Sequence, residues 1–375
     1  MEIVFTILLT IYVVLIALAR WYWDRIPQNP ELVTATSLSG VTVVIPVRNE
    51  EKNIEALIHS LSGLHYPIDK LEIIIVNDAS EDRTSELLQA NTTDKSNFKW
   101  FTLDEPANFQ GSFKKRALTA AIQRAEFPVI VTTDADCQFH PEWLTSLIGT
   151  MQTNDLVMAC GPVAYHQQGF LSPLLDIELA SLVAVGAASL SQGFPNMCNG
   201  ANLAFTKEAF KQVDGYQGYE QVVSGDDEFL LYKIFSRYPR RVGFVKQSHS
   251  IVRTNPPDSW TEFVNQRKRW GGKWKAHKSK ATRALALFIF VFHLAFTASL
   301  VMTVMGRYSW KIFITQIAVK IFLEFMLVKP VLDFLGKRTA LQWFFFMQLL
   351  YSFYTVFIGV MVQFTGFNWK NRKYR

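Results

Sequence analysis

Cysteine is scarce. The 375 residues hold three, Cys137, Cys160 and Cys198, an odd and widely spaced set. That spacing argues against both a disulfide framework and a zinc site, and it suits a reducing compartment. Acidic residues are missing from 263 to 323, a stretch that carries eight Lys or Arg between Arg267 and Arg283. A basic flank beside an apolar run marks the cytosolic face of a membrane. The net charge of +6 comes with no nucleic-acid recognition motif, so nucleic acid is not an expected partner. A basic leader and a small-residue cleavage site are also lacking around the first apolar run, which therefore reads as a membrane span rather than a cleaved signal peptide.

What the chain has in excess is apolar and aromatic surface, with 30 Phe crowded towards the C-terminus, as lipid-facing helices demand. Its length suggests about two structural units. The first run, residues 3–19, is broken only by Thr6, Thr10 and Tyr12 and ends in a collar of Arg20, Trp21, Tyr22, Trp23 and Arg25. A second run, residues 284–305, follows the basic block. A third, residues 312–328, carries Lys320 and Glu324 at helical spacing, as a span with an internal ion pair or an interfacial helix would. A fourth, residues 341–364, is rich in Phe and Tyr. Residues 171–190 look similar but carry Asp176 and Glu178, and their clean apolar part is short, so a buried helix is expected there. We expect an anchor at 1–27, a cytosolic domain at 28–283 and a membrane region at 284–375 with two or three spans, four in all being favoured. The whole would be an integral protein of the cell's inner membrane with its globular domain in the cytoplasm.

From residue 40 onward, β-branched runs alternate with amphipathic helical patterns, which predicts an α/β fold with a mainly parallel sheet. Strands are expected at 41–46, 71–77, 98–103 and 129–133. Asn49 is expected to cap a helix whose buried stripe is Ile54, Leu57, Ile58 and Leu61. Ser80, Glu81 and Asp82 are expected to open the next helix, and Pro141 the helix bearing Leu144, Leu147, Ile148 and Met151. In open α/β sheets ligands bind at the C-terminal strand edge, where Glu50, Asp78, Asp134 and Asp136 would gather. On an extended backbone Asp134 and Asp136 would point to one side. Two hard carboxylates so placed suit Mg²⁺ or Mn²⁺ shared with a diphosphate. Asp226 next to Asp227 is expected to raise its neighbour's pKa and improve it as a base. Arg269 suits a diphosphate, and Trp270 suits stacking on a sugar or anchoring at an interface.

These residues resemble a known family. The run from Val43 to Glu50, Val76-Asn77-Asp78-Ala79-Ser80, Lys114 ahead of Ala117-Leu118, and Asp134-Ala135-Asp136 are similar to motifs of family-two glycosyltransferases of GT-A fold, membrane-integrated branch. So are Cys198-Asn199-Gly200-Ala201-Asn202, Gly225-Asp226-Asp227-Glu228 and Gln266-Arg267-Lys268-Arg269-Trp270. Phe113 departs from the pattern, standing where a glycine usually precedes the lysine, which leaves Lys115 as an alternative to Lys114. The resemblance implies that Glu50, Asp78, Lys114, Asp134, Gln266 and Arg269 bind the donor and that Asp136 holds the metal. It further implies that Asn199, Gly200, Asp226 and Trp270 meet the acceptor, with Asp227 as the general base.

The implied activity is an inverting transfer of one sugar from a nucleotide-sugar, a UDP-sugar above all, to a hydroxyl of a membrane lipid or lipid-like acceptor. The rivals are a processive polysaccharide synthase, against which the small number of spans weighs, and a non-catalytic membrane-anchored nucleotide-binding protein.

Overall fold

The computed structural model describes residues 2–28, 38–106, 109, 111–166, 171–276, 279–370 and 372–374. Lys278 of the basic block, and Asn371 and Arg375 of the basic tail, lie outside them. In chain order the elements are α1 (Glu2–Arg25), β1 (Val41–Val47), α2 (Ile54–Ser62), β2 (Leu71–Asp78), α3 (Thr84–Thr92), β3 (Phe98–Leu103) and α4 (Phe113–Arg124). Next come β4 (Val129–Thr132), α5 (Trp143–Thr153), β5 (Met158–Cys160), β6 (Val163–Tyr165), α6 (Ser172–Ser191), β7 (Leu203–Thr206), α7 (Lys207–Gln212) and α8 (Asp226–Arg237). The chain continues through β8 (Val242–Phe244), β9 (Val252–Thr254), α9 (Trp260–Gly272), α10 (Lys280–Val304), α11 (Trp310–Phe334) and α12 (Phe344–Phe364). It closes with the hairpin β10 (Phe367–Trp369) and β11 (Arg372–Tyr374). These elements form two compact units, one of residues 26–166 and 189–255, the other of residues 1–25, 167–188 and 256–375.

The first unit is built on a seven-stranded sheet of order β3-β2-β1-β4-β7-β5-β8. The four strands from β3 to β4 run parallel, whereas β7 is antiparallel to both its neighbours. Successive side chains of a strand face opposite ways. Val43, Ile45, Ile73 and Ile75 accordingly meet the α2 stripe of Ile54, Leu57, Ile58 and Leu61 and the α5 stripe of Leu144, Leu147, Ile148 and Met151. Val44, Ile74, Val76 and Ile130 meet Ala117, Leu118 and Ile122 of α4 and Leu230, Leu231 and Ile234 of α8. A parallel sheet covered on both faces explains why its strands read as near-continuous apolar runs.

Two local expectations are corrected. Asn49 does not cap α2; it sits at φ +51°, and its side chain accepts from the Glu81 N–H. Asn53 takes the cap position, with no side-chain bond to the helix; its Nδ2 donates instead to Glu50 Oε2 at 2.7 Å. Residues 80–82 precede α3 rather than open it, and Asp82 caps from outside by accepting from the Thr84 N–H at 3.0 Å.

In the second unit, α1 packs its Phe5, Leu9 and Tyr12 against Phe292 and Phe296 of α10 and Phe313 of α11. Among the described residues, three helices are long and apolar enough to cross a membrane: α1, α6 and α10. A fourth crossing is possible if the bent pair 338–348 and 350–364 counts as one span. α6 thus meets the standard over its full length, although its most apolar stretch is 61% buried, against 22% for α1 and α10. α11 does not, since Lys311, Lys320, Glu324 and Lys329 punctuate it. Its Lys320 and Glu324 form an ion pair of 2.8 Å inside the unit, with Gln348 bonded to the lysine and Tyr12 to the glutamate.

Candidate active site

Parallel strands end where their loops turn back into helices, and the C-terminal edge of β1, β2 and β4 collects the acidic residues. Asp78 is the last residue of β2, Glu50 lies three residues past β1, and Asp134 and Asp136 follow β4. The loops after β1 and β2 are laced together. Asn49 N–H donates to Ser80 Oγ at 3.0 Å, Glu50 N–H to Thr84 Oγ1 at 2.9 Å and Glu51 N–H to Asp82 Oδ2 at 3.1 Å. Arg48, buried under this lattice, donates to the carbonyls of Asp78 and Ala79 at 2.8 and 2.9 Å and pairs with Glu81 and Glu105. Ala79 is held at φ +50°, a conformation that L residues adopt at a cost. Arg48 therefore shapes the turn that presents Asp78.

The second half of the site meets around Lys114, near the start of α4. Its ammonium lies 2.8 Å from Asp134 Oδ1 and 3.3 Å from Asp226 Oδ2. Burial alone would lower the pKa of this lysine. Asp134, Asp226 and Asp227 more than offset that, and hold it well above the usual lysine range. Asp226 is 7% exposed. Burial pushes its carboxyl up, but the Lys114 and Lys115 ammonium groups outweigh burial and keep it below the ordinary carboxylate range. The like-charge repulsion expected between Asp226 and Asp227 is thus compensated by a cation that both face.

Asp227 stands in the first turn of α8, where the helix dipole favours a carboxylate. Its Oδ2 accepts from the Gly200 N–H at 3.0 Å, and its Oδ1 accepts from the Glu228 N–H at 2.8 Å. Gly200 is brought there because β7 runs antiparallel to β4, so the start of β7 lies at the same edge; Thr132 Oγ1 donates to its carbonyl at 2.8 Å. A Cβ on Gly200 would come within 3.2 Å of Asp226 Oδ2 and 3.5 Å of Asp227 Cβ, a close approach that glycine allows. Asn199 turns its side chain inward to accept from the Ala201 N–H. Of the residues expected to meet the acceptor, then, Asn199, Gly200 and Asp226 are engaged in building the surroundings of Asp227.

Asp134 and Asp136 stand on a turn rather than on extended backbone, and they take different partners. β4 ends at Thr132, and residues 134–137 form a turn closed by the Cys137 N–H on the Asp134 carbonyl. Asp134 goes to Lys114, while Asp136 Oδ2 accepts from Thr254 Oγ1 at 2.7 Å. Among the described residues no group of three or more His, Cys, Asp or Glu could hold a metal unaided. The donor set still fits a hard cation of the Mg²⁺ type, which takes one or two carboxylates and completes its shell with substrate phosphates and water. Asp136 would be the carboxylate in such a set, with one oxygen already bonded by Thr254.

Gln266, Arg269 and Trp270 lie on α9, in the other compact unit. There the dominant residue is their neighbour Arg267, 4% exposed, whose guanidinium makes a two-point ion pair with Glu178. It also bonds the side chain of Gln266 and stacks 4.5 Å from the ring centroids of both Phe263 and Trp270. Sequence reading gave no role to Arg267, Arg48 or Thr254 and weighed Lys115 only as an alternative to Lys114, because each is defined by partners remote in the chain. Thr254 and Asp136, for example, are 118 residues apart.

A mainly parallel sheet flanked by helices, with its acidic edge over the C-terminal strand ends, defines the GT-A fold. A mannosyltransferase of Pyrobaculum calidifontis, solved in complex with GDP-Man and Mn²⁺, matches with a TM-score of 0.60, covering 93% of this chain and 99% of that one at 18% identity. The model for glycosyl transferase family 2 matches residues 42–211, and that for glycosyl transferase family group 2 matches residues 129–362, so the chain belongs to glycosyl transferase family group 2.

A probable glycosyltransferase of Sulfolobus acidocaldarius is 25% identical over 251 residues, 64% of this chain and 51% of that one. A poly-beta-1,6-N-acetyl-D-glucosamine synthase of Staphylococcus epidermidis is 24% identical over 303 residues, 77% of this chain and 69% of that one. The chain spans about half the length of several curated relatives, 41 to 54% for three of them.

Proposed function

We propose that the chain is an inverting glycosyltransferase that moves a hexose from a nucleotide-sugar, a UDP-sugar, to a hydroxyl of a membrane-associated lipid or lipid-like acceptor. The observation that carries this reading is the Asp227 carboxylate, oriented by the Gly200 N–H at 3.0 Å beside the Lys114, Asp134 and Asp226 cluster. Glu50 and Asp78 hold the nucleoside in this reading, and Lys114 with Asp134 holds the nucleotide. The roles of Gln266 and Arg269 towards the donor, and of Trp270 towards the acceptor, rest on family resemblance. Among the described residues, three helices apolar enough to cross a membrane support anchoring, and the basic residues flanking the first and second apolar runs speak for a globular unit on the cytoplasmic side.

In the reaction, the acceptor hydroxyl passes its proton to Asp227 as its oxygen bonds to the anomeric carbon. The bond from that carbon to the diphosphate breaks on the opposite face, its electron pair leaves with the nucleoside diphosphate, and the configuration inverts. Lys114, which holds the nucleotide in this reading, would compensate the negative charge that grows there. Asp136 would hold Mg²⁺ or Mn²⁺, which supplies charge compensation for the departing diphosphate.

Membranes carrying the protein, given radiolabelled UDP-sugars and extracted lipids, should form a labelled lipid. Asp227→Asn should cut the rate by about 100- to 10,000-fold. A folded variant that transfers at the wild-type rate would overturn the base.

A second reading, a processive polysaccharide synthase, is favoured by the relatives that bear that name in Staphylococcus epidermidis and Staphylococcus aureus. It uses the same base and donor residues, and differs in returning the product as the next acceptor.

A further inference from the structure

Lys115 is a cation for which the reaction above has no use. It sits next to Lys114 on the inner face of α4 and is 2% exposed. Burying an ammonium is unfavourable unless its protons are met. Here they meet backbone carbonyls: Lys115 Nζ donates to Tyr219 at 2.9 Å, to Ser224 at 3.2 Å and to Val222 between them. Ser112, the N-cap of α4, adds its N–H to the Glu220 carbonyl at 2.7 Å and its Oγ to the Val223 carbonyl at 3.2 Å. The start of α4 thus grips five of the six carbonyls from 219 to 224, all but that of residue 221. The Tyr219 ring stacks on Phe229 of α8 at 4.2 Å, and Lys115 Nζ lies 5.2 Å from the centroid of that same ring.

This gripped loop runs straight into Gly225, whose φ of +77° makes the turn that starts α8 at Asp226 and Asp227. The position of the Asp227 carboxylate is therefore set from two directions. Gly200 fixes it from β7, and the loop fixes the backbone that carries it. An apolar side chain of similar length would pack beside Phe229 of α8 but could hold none of the carbonyls.

We propose that Lys115 is a positioning residue for Asp227, clamping residues 219–224 so that α8 begins where its second carboxylate can reach the acceptor hydroxyl. The proposal rests on Asp227 being the base. Displacing a reacting group by about 1 Å can cost on the order of 100-fold in rate. Lys115→Met in the full-length protein should accordingly lower kcat by about 10- to 100-fold.

The test compares wild type, Lys115→Met, Ser112→Ala and Asp227→Asn for turnover and for UDP bound per chain in the presence of Mn²⁺. Lys115→Met with wild-type UDP stoichiometry and reduced kcat supports the clamp. Undiminished kcat overturns it, and so does UDP stoichiometry that falls in step with kcat, because that is the mark of a general loss of structure. If Lys115→Met does not accumulate, Ser112→Ala decides: a severalfold loss of kcat at full stoichiometry supports the clamp, and unchanged kcat overturns it. Asp227→Asn turning over at the wild-type rate, or wild type that binds no UDP, would instead remove the reading of the site on which the clamp depends.

Discussion

At the scale of single residues, the site is a problem of charge compensation solved by one lysine. Three carboxylates, Asp134, Asp226 and Asp227, would repel one another at this edge, and Lys114 faces all of them. The consequence can be read in acid. Asp226 is held below the ordinary carboxylate value, burial notwithstanding, by Lys114 and Lys115. A carboxyl with a lowered native pKa stabilises the fold fully above its unfolded value of about 3.9 and loses that contribution as pH falls through the native value. Asp226→Asn should therefore lower the melting temperature of the detergent-solubilised protein at neutral pH, with the gap to wild type closing below about pH 4. A gap that stays constant from neutral pH into acid would count against the ion pairs.

At the scale of elements, β7 matters most. Running against β4, it delivers Gly200 to the edge where the parallel strands deliver their acids, so a single antiparallel strand completes the site. Glu178 of α6, Arg267 of α9 and Tyr354 of α12 form another junction. Tyr354 Oη donates to Glu178 Oε1 at 2.8 Å, and Arg267 Nε lies 3.0 Å from the same oxygen. Removing one partner of a buried pair leaves the other charged and desolvated, at a cost of about 3 to 5 kcal/mol. Glu178→Ala should show that loss in thermal denaturation, whereas replacing Glu178 and Arg267 together by Met should recover much of it. Equal destabilisation by the single and double variants would show that the pair is not what holds α6 to α9.

At the scale of the whole molecule, the second unit exposes Ile3, Val14, Leu287, Val304, Phe357 and Phe364, large apolar side chains on α1, α10 and α12. Exposed apolar area of this extent on helices long enough to cross a bilayer points to lipid as its solvent. In the function proposed above, a lipid-borne acceptor would share that membrane with the enzyme. The product then separates the two readings of function. Chromatography of the labelled product should show one added sugar that does not lengthen with time. A ladder that grows with donor supply would establish the processive synthase instead.

Much of the fold was legible in the sequence. The β-branched runs at 41–46, 71–77, 98–103 and 129–133 announce strands, which form within a residue of those bounds, and the 3.6-residue stripes of α2 and α5 announce helices, because burial on a regular element imposes its own period. The acids at the strand ends followed from the strands. The partners of those acids were hidden. That Asp136 bonds Thr254 while Asp134 bonds Lys114 depends on the turn at 134–137, and that Lys115 grips carbonyls between 219 and 224 depends on a contact across more than 100 positions. Local periodicity determines which elements form, since it acts through neighbours along the chain. Only the packed structure decides which side chain meets which, because that choice is made between segments whose separation in sequence carries no signal.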